Sequence, residues 1–141
     1  MSLVHGQAYT IINSATNTVV DLSGSDNVTI QGWQDNGGYS NQKWVALIAG
    51  DGWIFKNART GAFITLQNYC AGSSTRVVSG KIPVVWSLTP TGATGSYTVT
   101  LPLVNSPLAL DLYGSNVANG TSIIVFTPTG NPNQVWKFVT S

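Results

Sequence analysis

The 141-residue sequence has one cysteine, one histidine and no glutamate, and only 8% of its residues are charged, against a usual share of about 25%. The lone Cys70 can form neither an internal disulfide nor a thiolate metal cluster, and it suits a reducing compartment. Six Lys and Arg face five Asp, for a net charge of +1, and they show none of the clustering that a nucleic-acid surface requires. No apolar run approaches the length of a membrane span. The opening MSLVHGQAYT lacks a signal-peptide core, so the expected location is the cytoplasm, or the exterior by a route independent of a signal peptide. Disorder is excluded in the opposite way: 43% hydrophobic and 10% aromatic residues are enough to build a core.

Catalytic equipment is equally thin. His5 lies in an N-terminal segment expected to fray, which leaves a Ser-His-Asp arrangement unsupported. Asp21, Asp26 and Asp35 are close in sequence, but no loop has the spaced acidic pattern of a calcium site. Cys70 follows Tyr69 in a polar loop and reads as an incidental thiol. Asn27-Val-Thr29 and Asn119-Gly-Thr121 match the glycosylation sequon, and without a secretion signal they read as hairpin-loop residues. The inventory points away from an enzyme and implies no cofactor.

Helical signals are nearly absent. Thr, Val, Ile, Ser, Asn and Gly dominate, and turn clusters interrupt the chain at short intervals, which predicts an all-β sandwich or barrel. Three segments begin alike: Tyr9–Asn13, Trp53–Asn57 and Tyr97–Leu101, starting 44 residues apart. Each leads to a second apolar stretch (Thr18–Leu22, Ala62–Leu66, Leu108–Leu112) and a third (Val28–Trp33, Thr75–Ser79, Thr121–Phe126). Each copy closes on a strand expected to centre on a tryptophan: Trp44, Trp86 or Trp136. A four-strand unit cannot bury its own apolar face, so three copies must share one core. Three are too few for a propeller. A threefold barrel with hairpins capping one end, the β-trefoil, satisfies the pattern with few exposed edges. The expected organisation is one domain over 1–141, with repeats at about 7–50, 51–92 and 93–141. The recurring tryptophans read as core anchors, because large aromatics carry much of a small core's buried area.

The repeats disagree in an informative way. Asp21 and Asp111 occupy the same place in the second strand of copies one and three, each followed by a glycine, Gly24 or Gly114. Both copies then supply an aromatic (Trp33 or Phe126) and an amide pair (Asn41-Gln42 or Asn133-Gln134). Copy two has Thr65, Gly80 and Pro83-Val84 instead. Carboxylate, ring and amide are thus kept together twice and lost together once, as groups with a shared task would be. A carboxylate accepts charge-assisted bonds from adjacent hydroxyls, an Asn amide adds a donor and an acceptor, and a flat ring packs on an apolar C–H face. Vicinal hydroxyls with an apolar ring face describe a hexose. Taken alone, each Asp could equally be a turn group bonding backbone amides. The two carboxylates stand in different copies, which leaves paired-carboxylate glycoside hydrolysis without support.

Gln31-Gly-Trp33 and Asn41-Gln-Lys-Trp44, with Asp21 upstream, resemble the repeat of ricin-B-type (R-type) lectins, particularly the small single-domain lectins of mushrooms. Asn133-Gln-Val-Trp136 with Asp111 repeats the pattern, and the likeness spans the chain. The resemblance implies a β-trefoil that binds glycans of the galactose or N-acetylgalactosamine type without metal, with mannose preferred in some mushroom members. Carried onto this sequence, Asp21 and Asn41 would hold sugar hydroxyls, Trp33 would stack, Gly24 would offer a backbone amide, and Gln42 would support the carboxylate. Asp111, Gly114, Phe126 and Asn133 would form a second site. There Ile124 replaces Gln31 and Phe126 replaces Trp33, so that site is expected to be weaker or silent. Copy one has a shorter loop between Asp21 and Gln31 than plant members, and Tyr39 is expected to add a wall. Avidity would come from two sites per chain or from a homodimer. A trefoil that binds protein, such as a protease inhibitor or a non-catalytic light subunit of a fungal enzyme, remains the alternative. Its exposed loops would be Ala71–Thr75 and Pro90–Gly95.

Overall fold

A computed structural model describes residues 2–102 and 106–141. The strands are β1 (Ala8–Asn13), β2 (Val19–Leu22), β3 (Ile30–Trp33), β4 (Trp44–Ala49), β5 (Gly52–Asn57), β6 (Phe63–Leu66), β7 (Val77–Gly80), β8 (Ser87–Pro90), β9 (Ser96–Leu101), β10 (Leu108–Leu112), β11 (Thr121–Phe126) and β12 (Val135–Thr140). Antiparallel pairings run β1–β4, β4–β5, β8–β9, β9–β12 and β12–β1. A bridge between Trp53 and Trp86 joins β5 to the start of β8 and closes the ring. The hairpins β2–β3, β6–β7 and β10–β11 cap one end of this barrel. The fold is a β-trefoil.

Alternation along each strand decides what faces the axis. Val20 and Leu22, Ile64 and Leu66, and Leu110 and Leu112 occupy equivalent inward places in the three hairpins and join one core cluster. Trp44, Trp86 and Trp136 are each 0% exposed. A buried tryptophan hides about 200 Å², on the order of 5 kcal/mol at the usual area coefficient. Phe138 touches Tyr9, Tyr97 and Phe55 with ring centroids 6.0, 5.7 and 5.7 Å away. Gly52 is required by close approach, since a β-carbon there would lie 2.6 Å from the Trp86 carbonyl oxygen.

Two local expectations are corrected. The tryptophans do not centre their strands: Trp44 opens β4, Trp86 precedes β8, and Trp136 is the second residue of β12. The Asn-Gln pairs fall in 3-10 turns, Ser40–Gln42 and Pro132–Gln134, just before the ladder begins. The N-terminal segment also does not fray. The Gly6 N–H donates to the Ala46 carbonyl (2.7 Å), Ala46 returns a bond to Gln7 (3.0 Å), and Ile48 N–H donates to His5 Nδ1 (2.9 Å). These bonds extend the β1 edge along β4. The sequon residues lie in hairpin loops, as expected: Asn27 Oδ1 accepts from Arg59, and Asn119 Oδ1 accepts from the Gln34 N–H.

Candidate functional site

The outward face of β2 carries one charged residue. Asp21 sits between inward-pointing Val20 and Leu22, so alternation turns its carboxylate away from the core. It stays only 3% exposed because the 3-10 turn Ser40–Gln42 packs over the strand. Register sets its neighbours: Asp21 stands opposite Gln31 and Val19 opposite Trp33. Three amides brace the carboxylate. Gln31 Nε2 donates to Oδ1 (3.1 Å), while Asn41 Nδ2 (3.1 Å) and Gln42 Nε2 (2.9 Å) donate to Oδ2.

Around this group lies a cup of ≈ 370 Å³. Asp21, Gln31 and Asn41 form its polar base, Trp33 one wall, and Ser23, Gly24, Ser25 and Asn36 its rim. The donor inventory is specific. Both Asn41 Nδ2 protons are committed, one to Asp21 and one to the Leu22 carbonyl (3.1 Å), which leaves Oδ1 as an acceptor. Asp21 Oδ1 accepts a single bond from the described residues and keeps a lone pair. The Gly24 N–H has no partner among the described residues. The base therefore presents acceptors to hydroxyl protons, with one backbone donor at the rim and an aromatic wall.

Gln42 does not line the cup. It is 2% exposed and lies behind the carboxylate, donating also to the Gln34 carbonyl (2.9 Å) and accepting from the Asn36 N–H (2.9 Å). The same device recurs in copy three. Gln134 Nε2 donates to Asp111 Oδ2 (2.9 Å) and to the Thr127 carbonyl (3.0 Å), and its Oε1 accepts from Thr129 (2.7 Å). Tyr39, expected as an added wall, is 67% exposed and is not part of the cup lining.

The third-repeat cup is smaller, ≈ 240 Å³, and more apolar. Asp111 faces Ile124 and Ala109 faces Phe126, matching the register of the first copy position for position. Asp111, Gly114, Phe126 and Asn133 all line it, together with Tyr113 and Ile124. Burial pushes the Asp111 carboxyl above its ordinary value, and hydrogen bonds from Gln134 and Asn133 hold it back in part. The missing brace is visible in the register, because the Ile124 side chain has no N–H to give where Gln31 Nε2 gives one. The two glycines differ as well: Gly114 is left-handed (φ +63), whereas Gly24 is not.

Copy two lacks the groups that build the cup. Thr65 stands opposite Val78, and Gly80 stands opposite Phe63 in the place of Trp33. Two buried polar atoms there have no partner among the described residues, Thr65 Oγ1 and Trp86 Nε1. In the other copies the equivalent indoles donate to the Val20 and Leu110 carbonyls, at 2.9 and 3.0 Å.

Two positioning residues escaped the sequence reading. Asn57 Nδ2 donates to the Asn41 carbonyl (3.1 Å), and Asn13 Nδ2 donates to the Asn133 carbonyl (3.0 Å). Each is 0% exposed, and each pins the 3-10 turn of a neighbouring repeat. Their counterpart in the third first-strand is Leu101, beside the repeat that lacks the cup groups. The signal was present as another polar group kept twice and lost once.

Among the described residues no three His, Cys, Asp or Glu side chains gather as metal ligands, and no helix is long and apolar enough to cross a membrane. Comparison with curated proteins gives no match. Solved structures do match. The ricin B-like lectin of Macrolepiota procera, in complex with lactose, superimposes with a TM-score of 0.90 at 26% identity, covering 100% of both chains. The Rhizoctonia solani agglutinin gives 0.86 at 29% identity over 100% of this chain and 99% of that one. The C-half of the earthworm R-type lectin, in complex with GalNAc, shares the fold with a TM-score of 0.71 at 17% identity, over 96% of this chain and 99% of that one. The sequence model of one family, described as ricin-type beta-trefoil lectin domain-like, matches residues 2–79 and 40–126. With that match spanning most of the sequence and the repeat register reproduced in the fold, this chain belongs to the ricin-type β-trefoil lectin domain-like family.

Proposed function

We propose that the chain is a non-catalytic, metal-independent lectin that holds galactose-type sugars, galactose or N-acetylgalactosamine, in the first-repeat cup and more weakly in the third. The observation that carries this reading is the Asp21 carboxylate, braced by three amides and set in a cup with a tryptophan wall. Adjacent hydroxyls of a hexose donate to Asp21 Oδ1 and Asn41 Oδ1, the Gly24 N–H donates to a sugar oxygen, and Trp33 covers the apolar ring face. Preorganisation favours such a site, because the bracing amides fix the acceptors before the sugar arrives. The third cup offers the same acid and amide with weaker bracing: Gln134 donates to Asp111 at 2.9 Å, nothing stands in for Gln31, and burial pushes the carboxyl above its ordinary value. The lactose and GalNAc complexes of the similar lectins support the sugar class. A protein-binding module working through exposed loops would have no use for two carboxylates braced in this way.

Titration calorimetry with lactose and N-acetylgalactosamine tests the reading. Asp21→Asn is expected to weaken binding by about 1–3 kcal/mol, the scale of a lost charge-assisted bond. The fold should tolerate it, since the Gln31 amide can turn its oxygen toward the new N–H. The Asp21→Ala/Asp111→Ala double variant should bind neither sugar. Unchanged affinity in the double variant would refute the assignment.

A further inference from the structure

The third cup does not end at Ile124. A second depression of ≈ 250 Å³ shares Tyr113 and Ile124 with it and adds Ser74, Arg76 and Ser122. The pairing explains the continuity. Asp111 faces Ile124 across β10–β11, and on the other side Ile124 bridges Arg76. Directly opposed residues in antiparallel strands point to the same face, so Asp111, Ile124 and Arg76 form one outward row. Its ends are about 10 Å apart at the backbone, two inter-strand steps.

Repeat symmetry makes Arg76 an individual feature of this cup. Beside the first cup, the residue opposite Gln31 is Ser122, and the residue opposite Val78 in copy two is Thr29. Arg76 makes one side-chain hydrogen bond, Nη2 to Ser122 Oγ (2.9 Å), and no ion pair among the described residues. Its guanidinium carries five donors, so most of its capacity is open to a ligand. Tyr113, 62% exposed, stands between the two depressions where copy one has only Ser23.

We propose that the third-repeat cup selects galactosides bearing an acidic group, with the sugar ring at Asp111 and Phe126 and the carboxylate or sulfate reaching over Ile124 to Arg76. The proposal rests on the reading of that cup as a galactose-type site. A carboxylate or sulfate presents paired oxygens that match a guanidinium fork. The ligand's acid would pair with the Arg76 guanidinium, about 10 Å from Asp111 at the backbone, and that pairing offsets its repulsion from the Asp111 carboxylate.

The test uses the full chain carrying Asp21→Ala, so that the third cup alone is read. It also removes the influence of Arg59, whose Nη1 would lie 3.8 Å from a β-carbon on Gly24 at the first cup. Calorimetry compares lactose with 3′- and 6′-sialyllactose and with lactose 3′-sulfate; the arms separate a carboxylate source from a sulfate. The expected result is an acidic lactose bound about three- to tenfold tighter than lactose, a preference that shrinks in high salt. Arg76→Gln should bring that ratio to unity. Lys81→Gln, which removes the same charge at the other end of β7, should preserve it. Lactose bound with all acidic forms equal or weaker, or a preference that survives Arg76→Gln, would overturn the proposal while leaving the lectin reading intact. Failure of lactose and acidic lactoses alike would instead remove the third-cup reading and the proposal with it.

Discussion

Asp21 and Asp111 are the same residue in the same register, yet the side chain that faces each across its hairpin differs. Gln31 donates to one carboxylate, whereas Ile124 leaves the other with less support in a buried place. Burial raises the Asp111 carboxyl above its ordinary value, so the folded chain holds that proton more tightly than the unfolded chain does. Between the two values stability falls as pH rises, and above both the full penalty persists. Asp111→Asn is therefore expected to raise the melting temperature at neutral pH. The gain should vanish near about pH 3, where an ordinary Asp is mostly protonated and both side chains are neutral. Calorimetric scans of the two proteins at both pH values check this, and equal neutral-pH melting would show that the carboxyl is not penalised. The same variant should lose sugar binding at the third cup, which separates what the residue contributes to function from what it contributes to stability.

At the scale of elements, the cup is a hairpin strand covered by a 3-10 turn, and the turn is fixed from the next repeat. Asn57 lies opposite Trp44 in the β4–β5 ladder, and Asn13 lies opposite Trp136 in β1–β12. Each amide reaches the carbonyl of the turn asparagine one layer away. Asn57→Ala should cost about 1–3 kcal/mol of stability through the buried groups it orphans. It should weaken sugar binding at the first cup while sparing the third, and Asn13→Ala should do the converse. Thermal melts and titrations against the Asp21→Ala and Asp111→Ala backgrounds distinguish the two; equal effects on both cups would make these residues generally structural. Much of this was readable from the chain. The repeat period, the strands and the Asp–aromatic–amide set followed from alternation and self-similarity, because both are local properties of sequence. The Asn13 and Asn57 contacts were not read, because they cross between repeats and depend on ladder register. Nor was Arg76, whose importance arises from the bridge to Ile124 rather than from any motif. The direction of the Asn41 amide was likewise invisible, since only the fold shows both protons spent on Asp21 and Leu22.

The whole molecule turns three copies of one unit into a shared core and two unequal cups. The first and third cups stand on separate hairpins and share no lining residue. Copy two has kept the inward half of the pattern: Ile64, Leu66 and Trp86 still pack in the core. Its outward half is absent, and Thr65 Oγ1 and Trp86 Nε1 are unpaired among the described residues. Core and cup residues thus occupy opposite faces of the same strands, so one repeat can lack the cup groups and still hold its place in the barrel. Under the proposed function the valency is two per chain. A monomer with two cups should cross-link lactose-coated particles, because a tethered second contact raises avidity by about 10²–10⁴ without any new interaction. Asp21→Ala or Asp111→Ala should each leave one functioning cup, so that free lactose is still bound in solution but cross-linking is abolished. Particle aggregation measured by light scattering, with the chain's mass fixed by sedimentation, decides the matter. Cross-linking that persists in both single variants, with sedimentation showing two copies, would move the bridging from the two cups of one chain to a homodimer of single cups.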